Sequence, residues 1–398
     1  MLNGPFSPWP SFSDEEAIAI RDVLLSNKVN YWTGNESRHF EKEFSAYTDS
    51  LYAIALANGT VALNLALQAL NIGSGDEVVV TSRTFLASVS SIVTAGATPV
   101  FADVDLDSQN IDAQAIKSVL SIKTKAIICV HLAGWPCDMD EIMELASEYS
   151  LFVIEDCAQA HGAKYKGRPV GSIGHVGCWS FCQDKIMTTG GEGGMVTTND
   201  KDLWSKMWSY KDHGKSWEAV YEKHHPPGFR WLHESFGTNW RMMEVQAVLG
   251  RYQLKKMPEW SETRVKYANQ IWLTASSLNG LRVPNFKCQS CNCISQKQNA
   301  CVHAAYKCYV FVEGTEQDRD AIMHKINEQG VPCFSGSCSE VYLEKAFDNT
   351  TYRPKERLPN AKKLGETSLM FLCHPTLTQE EIDKTCVVLT KVVTEHFK

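Results

Sequence analysis

From residue 51 onward, short apolar runs alternate with segments whose apolar positions recur at helical spacing. LYAIALA (51–57) predicts a strand, GTVALNLALQAL (59–70) a helix, EVVVT (77–81) a strand and FLASVSSIVTAG (85–96) a helix. TPVFADV (98–104), KAIICVHL (125–132) and LFVIED (151–156) predict three more strands, with a helix over DMDEIMELASEYS (138–150). Strands almost continuous in Val, Ile and Leu, separated by helices, make a parallel sheet covered on both faces. Ligands of such sheets bind beyond the carboxyl ends of the strands, beside helix amino-termini. Past residue 241, one or two long helices lead towards a smaller domain with a strand in YKCYVFVEG (306–314). A helix over 317–330 follows, with Gly330 as its C-cap. The expected division is an N-terminal arm at 1–12, a large domain at 13–252 and a small C-terminal domain at 253–398.

Composition narrows the function classes. A length of 398 residues allows one large core and a smaller one, and 44% hydrophobic with 21% charged residues is ordinary for a soluble globular protein. A net charge of −7 without basic blocks argues against nucleic acid or an anionic membrane as partner. The opening MLNGPFSPWPSFSDEEAIAI lacks the features of a signal peptide, and no run approaches the roughly 18 apolar residues of a membrane helix. Fourteen cysteines spread along such a chain read as reduced thiols of a cytoplasmic protein.

The candidate chemistry gathers at the strand ends. Lys185 lies in CWSFCQDKIMTTGGEGG (178–194), and VIEDCAQAHG (153–162) places Asp156 at the end of an apolar strand. A lysine among small and hydroxyl residues, with a carboxylate delivered by a parallel strand, suits pyridoxal 5'-phosphate. The amine bonds the cofactor aldehyde, and the carboxylate keeps the ring nitrogen protonated. Most lysines are solvated, but IMTTGG is poor surface composition. Asp156 would be expensive inside the sheet without a dedicated cation.

The other candidates each have a plainer alternative. Gly59 permits close backbone approach and Thr60 opens a helix that favours a phosphate, or the pair is a simple turn with a threonine cap. Phe85 lies against a ring or fills the core. Gln159 reaches the same ligand as Asp156 or is a surface amide. Ser180 sits in GCWSF, a segment of strand character. FGTNWRMMEVQ (236–246) puts Asn239 and Arg241 at a helix start, where Arg241 binds a substrate carboxylate or serves a structural salt bridge. Cys288, Cys291, Cys293, Cys301, His303 and Cys308 suggest zinc, but CxxCxC without a second knuckle is read as a reduced surface insertion with no metal.

Together these motifs resemble the sugar aminotransferases of the DegT/DnrJ/StrS type, within the fold-type I pyridoxal phosphate enzymes. The likeness runs from WPSFSDEE (9–16) and KVNYWTG (28–34) to HPTLTQEEID (374–383). It implies an α/β fold: an aspartate-aminotransferase-like large domain with a mostly parallel seven-stranded sheet, plus a smaller C-terminal α/β domain. It implies Lys185 as the catalytic lysine bonded to the cofactor and Asp156 as partner of the pyridine nitrogen. Gln159 would lie beside the ring hydroxyl, Phe85 would stack on the ring, and Gly59, Thr60 and Ser180 would hold the phosphate. Family members are homodimers with shared sites, so Asn239 would reach the phosphate bound by the neighbouring subunit. His213 and Arg241 are carried as substrate-binding residues.

The implied reaction moves the amino group of L-glutamate to a keto sugar for cell-surface polysaccharide or lipopolysaccharide. SFCQDKIMTTGGEGGM and KDHGKSW (211–217) fit two branches: one makes 8-amino-octulosonate sugars, the other aminates nucleotide-linked 4-keto-6-deoxyhexoses. The first is favoured and the second is the alternative. A sugar dehydratase on the same scaffold has histidine where Lys185 stands, which counts against it. Gln183 and Asp184 depart from many relatives and bear on the sugar pocket.

Overall fold

The strands expected between residues 51 and 156 all form, because each is a run of apolar residues too short for a helix and bounded by turn residues. In the computed structural model, which describes residues 4–286 and 300–398, helices α1 (Asp14–Leu25) and α2 (Glu36–Tyr47) precede β1 (Tyr52–Leu56). There follow α3 (Gly59–Ala69), β2 (Glu77–Thr81), α4 (Ala87–Thr94), β3 (Thr98–Ala102), α5 (Ala113–Val119), β4 (Thr124–Val130), α6 (Met139–Tyr149) and β5 (Phe152–Asp156). A two-stranded ribbon, β6 (Lys164–Tyr165) with β7 (Arg168–Pro169), leads to β8 (Val176–Ser180), β9 (Gly194–Thr198), α7 (Lys201–Tyr210) and α8 (Trp217–Tyr221).

Seven of these strands form one sheet in the order β1-β9-β8-β5-β4-β2-β3. The pairs β2–β3, β2–β4, β4–β5 and β5–β8 are parallel, while β9 is antiparallel to both β8 and β1. The fold is therefore the expected α/β architecture with a mainly parallel central sheet. One face of the sheet packs Val78, Val80, Ile128 and Ile154 against α3 and α4; the other packs Val79, Ile127 and Val153 against the side of Ile116 and Ile142.

Helix α9 (Glu244–Ser276) is a single element of 33 residues that passes through position 253. It begins at Glu244 rather than at Asn239. Residues Asn239 and Arg241 instead lie in extended backbone, bridged to Asp212 and Leu56. The buried carboxylate of the first α9 residue, Glu244, accepts from the Glu36 (2.5 Å) and Ser37 (3.2 Å) amides and so caps the start of α2. Beyond α9, β10 (Leu281–Arg282), β11 (Cys308–Val312), β12 (Cys333–Phe334) and β13 (Ser368–Phe371) make an antiparallel sheet in the order β10-β11-β13-β12. Helices α10 (Glu316–Glu328), α11 (Pro359–Thr367) and α12 (Gln379–His396) accompany it. Its core joins Ile271 of α9 to Val310, Ile322, Phe371 and Leu389. Gly330 sits just past α10 with φ +73°, the left-handed stop that the sequence predicts. Among the described residues, no helix is long and apolar enough to cross a membrane.

Candidate active site

The parallel strands end on one edge of the sheet, and β5 delivers two consecutive acids there. The pleat sends Glu155 and Asp156 to opposite faces. Glu155 is fully buried and satisfied: its carboxylate accepts from His131 Nε2 (2.9 Å) and from the amides of Gly171 (2.8 Å), Ile173 (2.9 Å) and Gly174 (2.6 Å). Burial opposes its ionisation, but His131 and these amides hold it below the ordinary carboxylate value. With Cys157 nearby, the group has ligands a metal could use. The donors already around Glu155 make it a hydrogen-bonded anchor for the turn at 171–174.

Asp156 is also buried but only partly satisfied. Its Oδ2 accepts from Ser88 Oγ at 2.7 Å, and its Oδ1 accepts from the Ala158 amide at 3.1 Å. Thr84 Oγ1 lies 2.8 Å from Ser88 Oγ and orients it. Burial raises the Asp156 pKa, outweighing Ser88, Ala158 and the more distant charge of Lys185. Among the described residues no cation hydrogen-bonds to it, so the carboxylate is suited to a cationic N–H brought by a ligand. Gln159 is buried rather than a surface amide, its Oε1 accepting from the Ala133 amide at 2.8 Å.

Lys185 stands at the far side of this edge, on the loop between β8 and β9. That loop is pinned by the Phe181 amide donating to Gly193 O (2.8 Å) and the Gln183 amide donating to Gly191 O (3.0 Å). The Lys185 side chain is mostly covered, with Nζ 3.3 Å from Asp184 Oδ1 and 5.3 Å from the Tyr306 ring centroid. Tyr306 donates to Asp184 Oδ2 at 2.5 Å. Burial works against the Asp184 charge, but Lys185, Tyr306 and Lys307 hold its pKa below the ordinary value. Trp9 of the N-terminal arm donates from Nε1 to Lys185 O at 2.8 Å.

The start of α3 meets this loop. Asn58 is the N-cap, its side chain accepting from the Val61 amide at 3.0 Å, so the cap is asparagine and Thr60 is an exposed residue of the first turn. A Cβ on Gly59 would come within 2.5 Å of Ser180 Cβ. Only glycine lets β8 carry Ser180 against the helix terminus, which places a hydroxyl beside free amide donors as an oxyanion requires. Phe85 precedes α4 rather than opening it and is 71% exposed, so it is outside the core.

Arg241 makes a 2.7 Å ion pair with the buried Asp212, which Lys215 also contacts at 3.0 Å. The structural salt bridge is thus the contact present. His213 is exposed with φ +59°, and Asn239 is exposed opposite Asp212. Cys288, Cys291 and Cys293 lie outside the described residues. Cys301, His303 and Cys308 are buried and are not part of a surface insertion. His303 Nδ1 accepts from the Ala305 amide (2.7 Å), and Cys308 belongs to the β11 core. Ser88, the His131–Glu155 anchor, Trp9 and Tyr306 escaped sequence reading. Each acts through a partner 68 or more residues away or, for His131, on a neighbouring strand.

Residues 10–390 match the model of the DegT/DnrJ/EryC1/StrS aminotransferase family. The chain is 42% identical over 381 residues to a GDP-perosamine synthase of Escherichia coli O157:H7, covering 95% of each chain. It is 34% identical over 384 residues to a GDP-perosamine synthase of Caulobacter vibrioides, covering 94% of this chain and 95% of that one. A solved aminotransferase from Psychrobacter cryohalolentis is similar at 62% identity with a TM-score of 0.94, covering 99% of this chain and 100% of that one.

Proposed function

The chain belongs to the DegT/DnrJ/EryC1/StrS aminotransferase family, and from that premise we propose that it is a pyridoxal 5'-phosphate-dependent sugar aminotransferase carrying the amino group of L-glutamate to a nucleotide-linked 4-keto-6-deoxyhexose. The observation that carries the cofactor assignment is Asp156: a buried carboxylate at a strand end, hydrogen-bonded by Ser88 and Ala158 but given no cation. Similarity to two GDP-perosamine synthases supports the hexose acceptor over the 8-amino-octulosonate that the sequence motifs favour.

Pyridoxal phosphate, when bound, supplies an aldehyde carbon for the migrating nitrogen and a ring that accepts negative charge. Asp156 would hold the ring nitrogen protonated, and the α3 terminus with Gly59, Thr60 and Ser180 would take the phosphate. Gln159 would lie beside the ring hydroxyl and Phe85 against the ring face. Lys185 Nζ would remove the α-proton of the donor as general base and, as general acid, deliver it to the cofactor carbon that takes the nitrogen, and the second half-reaction would run the same transfers in reverse. Asp184 and Tyr306 keep that amine from swinging into solvent.

A homodimer with shared sites is part of the proposal. Phe229, Trp231 and Phe236 are 79%, 84% and 98% exposed on the stretch that ends at Asn239, a concentration of bare aromatic surface suited to a second copy. Asn239, His213 and Arg241 would then serve the neighbouring site. Cys129, Cys137, Cys157 and Cys178, buried as free thiols at the large sheet, fit a reducing, cytoplasmic setting.

The test is spectral. Holoenzyme mixed with L-glutamate should pass from the aldehyde-bound to the amine absorbance, and keto sugars should reverse it. An unchanged spectrum with glutamate would remove the donor assignment. Reversal by an octulosonate but by no 4-keto hexose nucleotide would overturn the acceptor.

A further inference from the structure

We propose that the cavity of about 340 Å³ beside Lys185 is an anion subsite in which Arg264 and Lys307 receive a carboxylate of the amino donor. The donor's identity rests on the aminotransferase reading; the subsite itself rests on the following geometry.

The cavity lies between the N-terminal arm and the smaller sheet, and Trp9, Asp184, Arg264, Tyr306, Lys307 and His374 are on its wall. Arg264 projects from α9 and is 1% exposed, yet its Nε and Nη2 have no hydrogen-bond partner among the described residues. Its guanidinium lies 4.8 Å from the Trp9 ring centroid, which fixes one face and leaves the edge. A buried guanidinium with unused donors is a costly arrangement unless an anion completes it. Lys307 follows Tyr306 on the same wall, and burial lowers its pKa.

Charge points the same way. Asp184 is the one acid among the lining residues, and it is already engaged by Lys185 and Tyr306. Two histidines report the local excess of positive charge. Burial first, then Lys185 and Arg264, push His161 down to about 3; burial, then Arg264 and Lys307, do the same to His374. Both are therefore neutral at physiological pH, so the lining side chains left to attract an incoming anion are those of Arg264 and Lys307.

Carboxylate and phosphoryl oxygens both suit the fork of an arginine. The carboxylate is favoured because Asp184 at the rim would oppose a doubly charged phosphoryl group. The rim is also where a nitrogen donor must bring its α-carbon to Lys185. A dicarboxylate donor could place its second acid group against Arg264 while its amine faces the lysine.

Holoenzyme, with the cofactor occupying its own phosphate site, should be titrated calorimetrically with glutarate and, separately, with GDP. Glutarate has the two carboxylates of the donor but no amine to react. Arg264→Met should weaken glutarate about tenfold or more, with GDP unchanged, and should slow the glutamate half-reaction while the amine form still reacts with its keto sugar at the original rate. Arg264→Lys should recover part of the loss. Should Arg264→Met not fold, Lys307→Met gives the same readings. Unchanged glutarate binding in a folded variant, or weakened GDP with unchanged glutarate, would overturn the proposal. Normal glutarate binding by wild-type protein that shows no spectral change with glutamate would instead count against the donor reading, leaving the subsite supported.

Discussion

Asp156→Asn separates charge from shape at the residue on which the cofactor assignment rests. The amide is isosteric with the carboxylate, and both existing contacts survive it. Asn Oδ1 can accept from the Ala158 amide, and Nδ2 can donate to Ser88 Oγ, which then turns its own proton to Thr84 Oγ1. What disappears is the negative charge. If that charge stabilises a protonated ring nitrogen, its loss removes a preorganised electrostatic interaction in a buried site, worth about 10²–10³ in rate. Single-turnover absorbance with L-glutamate reads this directly. The same substitution has an opposite effect on the protein without cofactor. The Asp156 pKa is raised in the folded state, so the folded chain binds this proton more tightly than the unfolded one. Its ionisation therefore subtracts stability as pH rises from the unfolded value near 3.9 through the raised folded value. Cofactor-free Asp156→Asn should melt about 1–3 °C higher than wild type at pH 7, with the gap closing as pH falls towards the carboxylate range. Near-normal half-reaction rates, or a variant less stable than wild type without cofactor, would refute the reasoning.

Lys185→Ala should abolish both half-reactions while melting within a degree or so of wild type, because the side chain, though mostly covered, belongs to none of the described apolar cores; retained turnover would take the lysine out of catalysis. Glu155→Gln should destabilise the protein by about 3 kcal/mol in a denaturant titration, since a carboxylate with four donors is replaced by a group that carries one acceptor and its own N–H. His161, His303 and His374 are each held to about 3, well below the unfolded value near 6.5. The unfolded chain therefore binds more protons between those limits, and stability should fall as pH drops from 6.5 towards 3. His303→Asn, which can still accept the Ala305 amide, should flatten that slope by up to about 1.4 kcal/mol per pH unit, as urea midpoints at pH 6 and pH 4.5 would show.

The strands of the large sheet were legible because each is encoded by its own contiguous apolar run, and Asp156 and Lys185 stood out against such runs. Elements fixed by distant partners were not. Glu244, the first residue of α9, caps the α2 terminus more than 200 residues away, a contact absent from the local pattern that puts Asn239 at the helix start. The smaller sheet includes two-residue strands, β10 and β12, whose sequences carry no period at all. Thr60 as a cap, one of the two readings open at that turn, follows from how well threonine caps helices, but Asn58 holds the Val61 amide.

The same limit explains why chemistry is easier to see in the structure than in the sequence. Glu155 and Asp156 are neighbours of the same charge, equally enclosed, and indistinguishable by composition. Four donors converge on the first and two on the second, neither of them a cation. A fold selected for stability alone would treat the pair alike or replace the second with an apolar residue, since an unpaired buried carboxylate is a net loss. Keeping Asp156 undersupplied makes sense only if something outside the chain completes it. Arg264 shows the matching deficit with the opposite sign, across the loop that bears Lys185. Two deficits of opposite charge flanking one lysine define a place for a molecule that presents a cationic N–H on one side and an anion on the other. One ligand or two could satisfy that demand. On the proposed reading, a cofactor with a protonated ring nitrogen and a dicarboxylate amino donor would divide it between them, the donor entering beside a cofactor already in place.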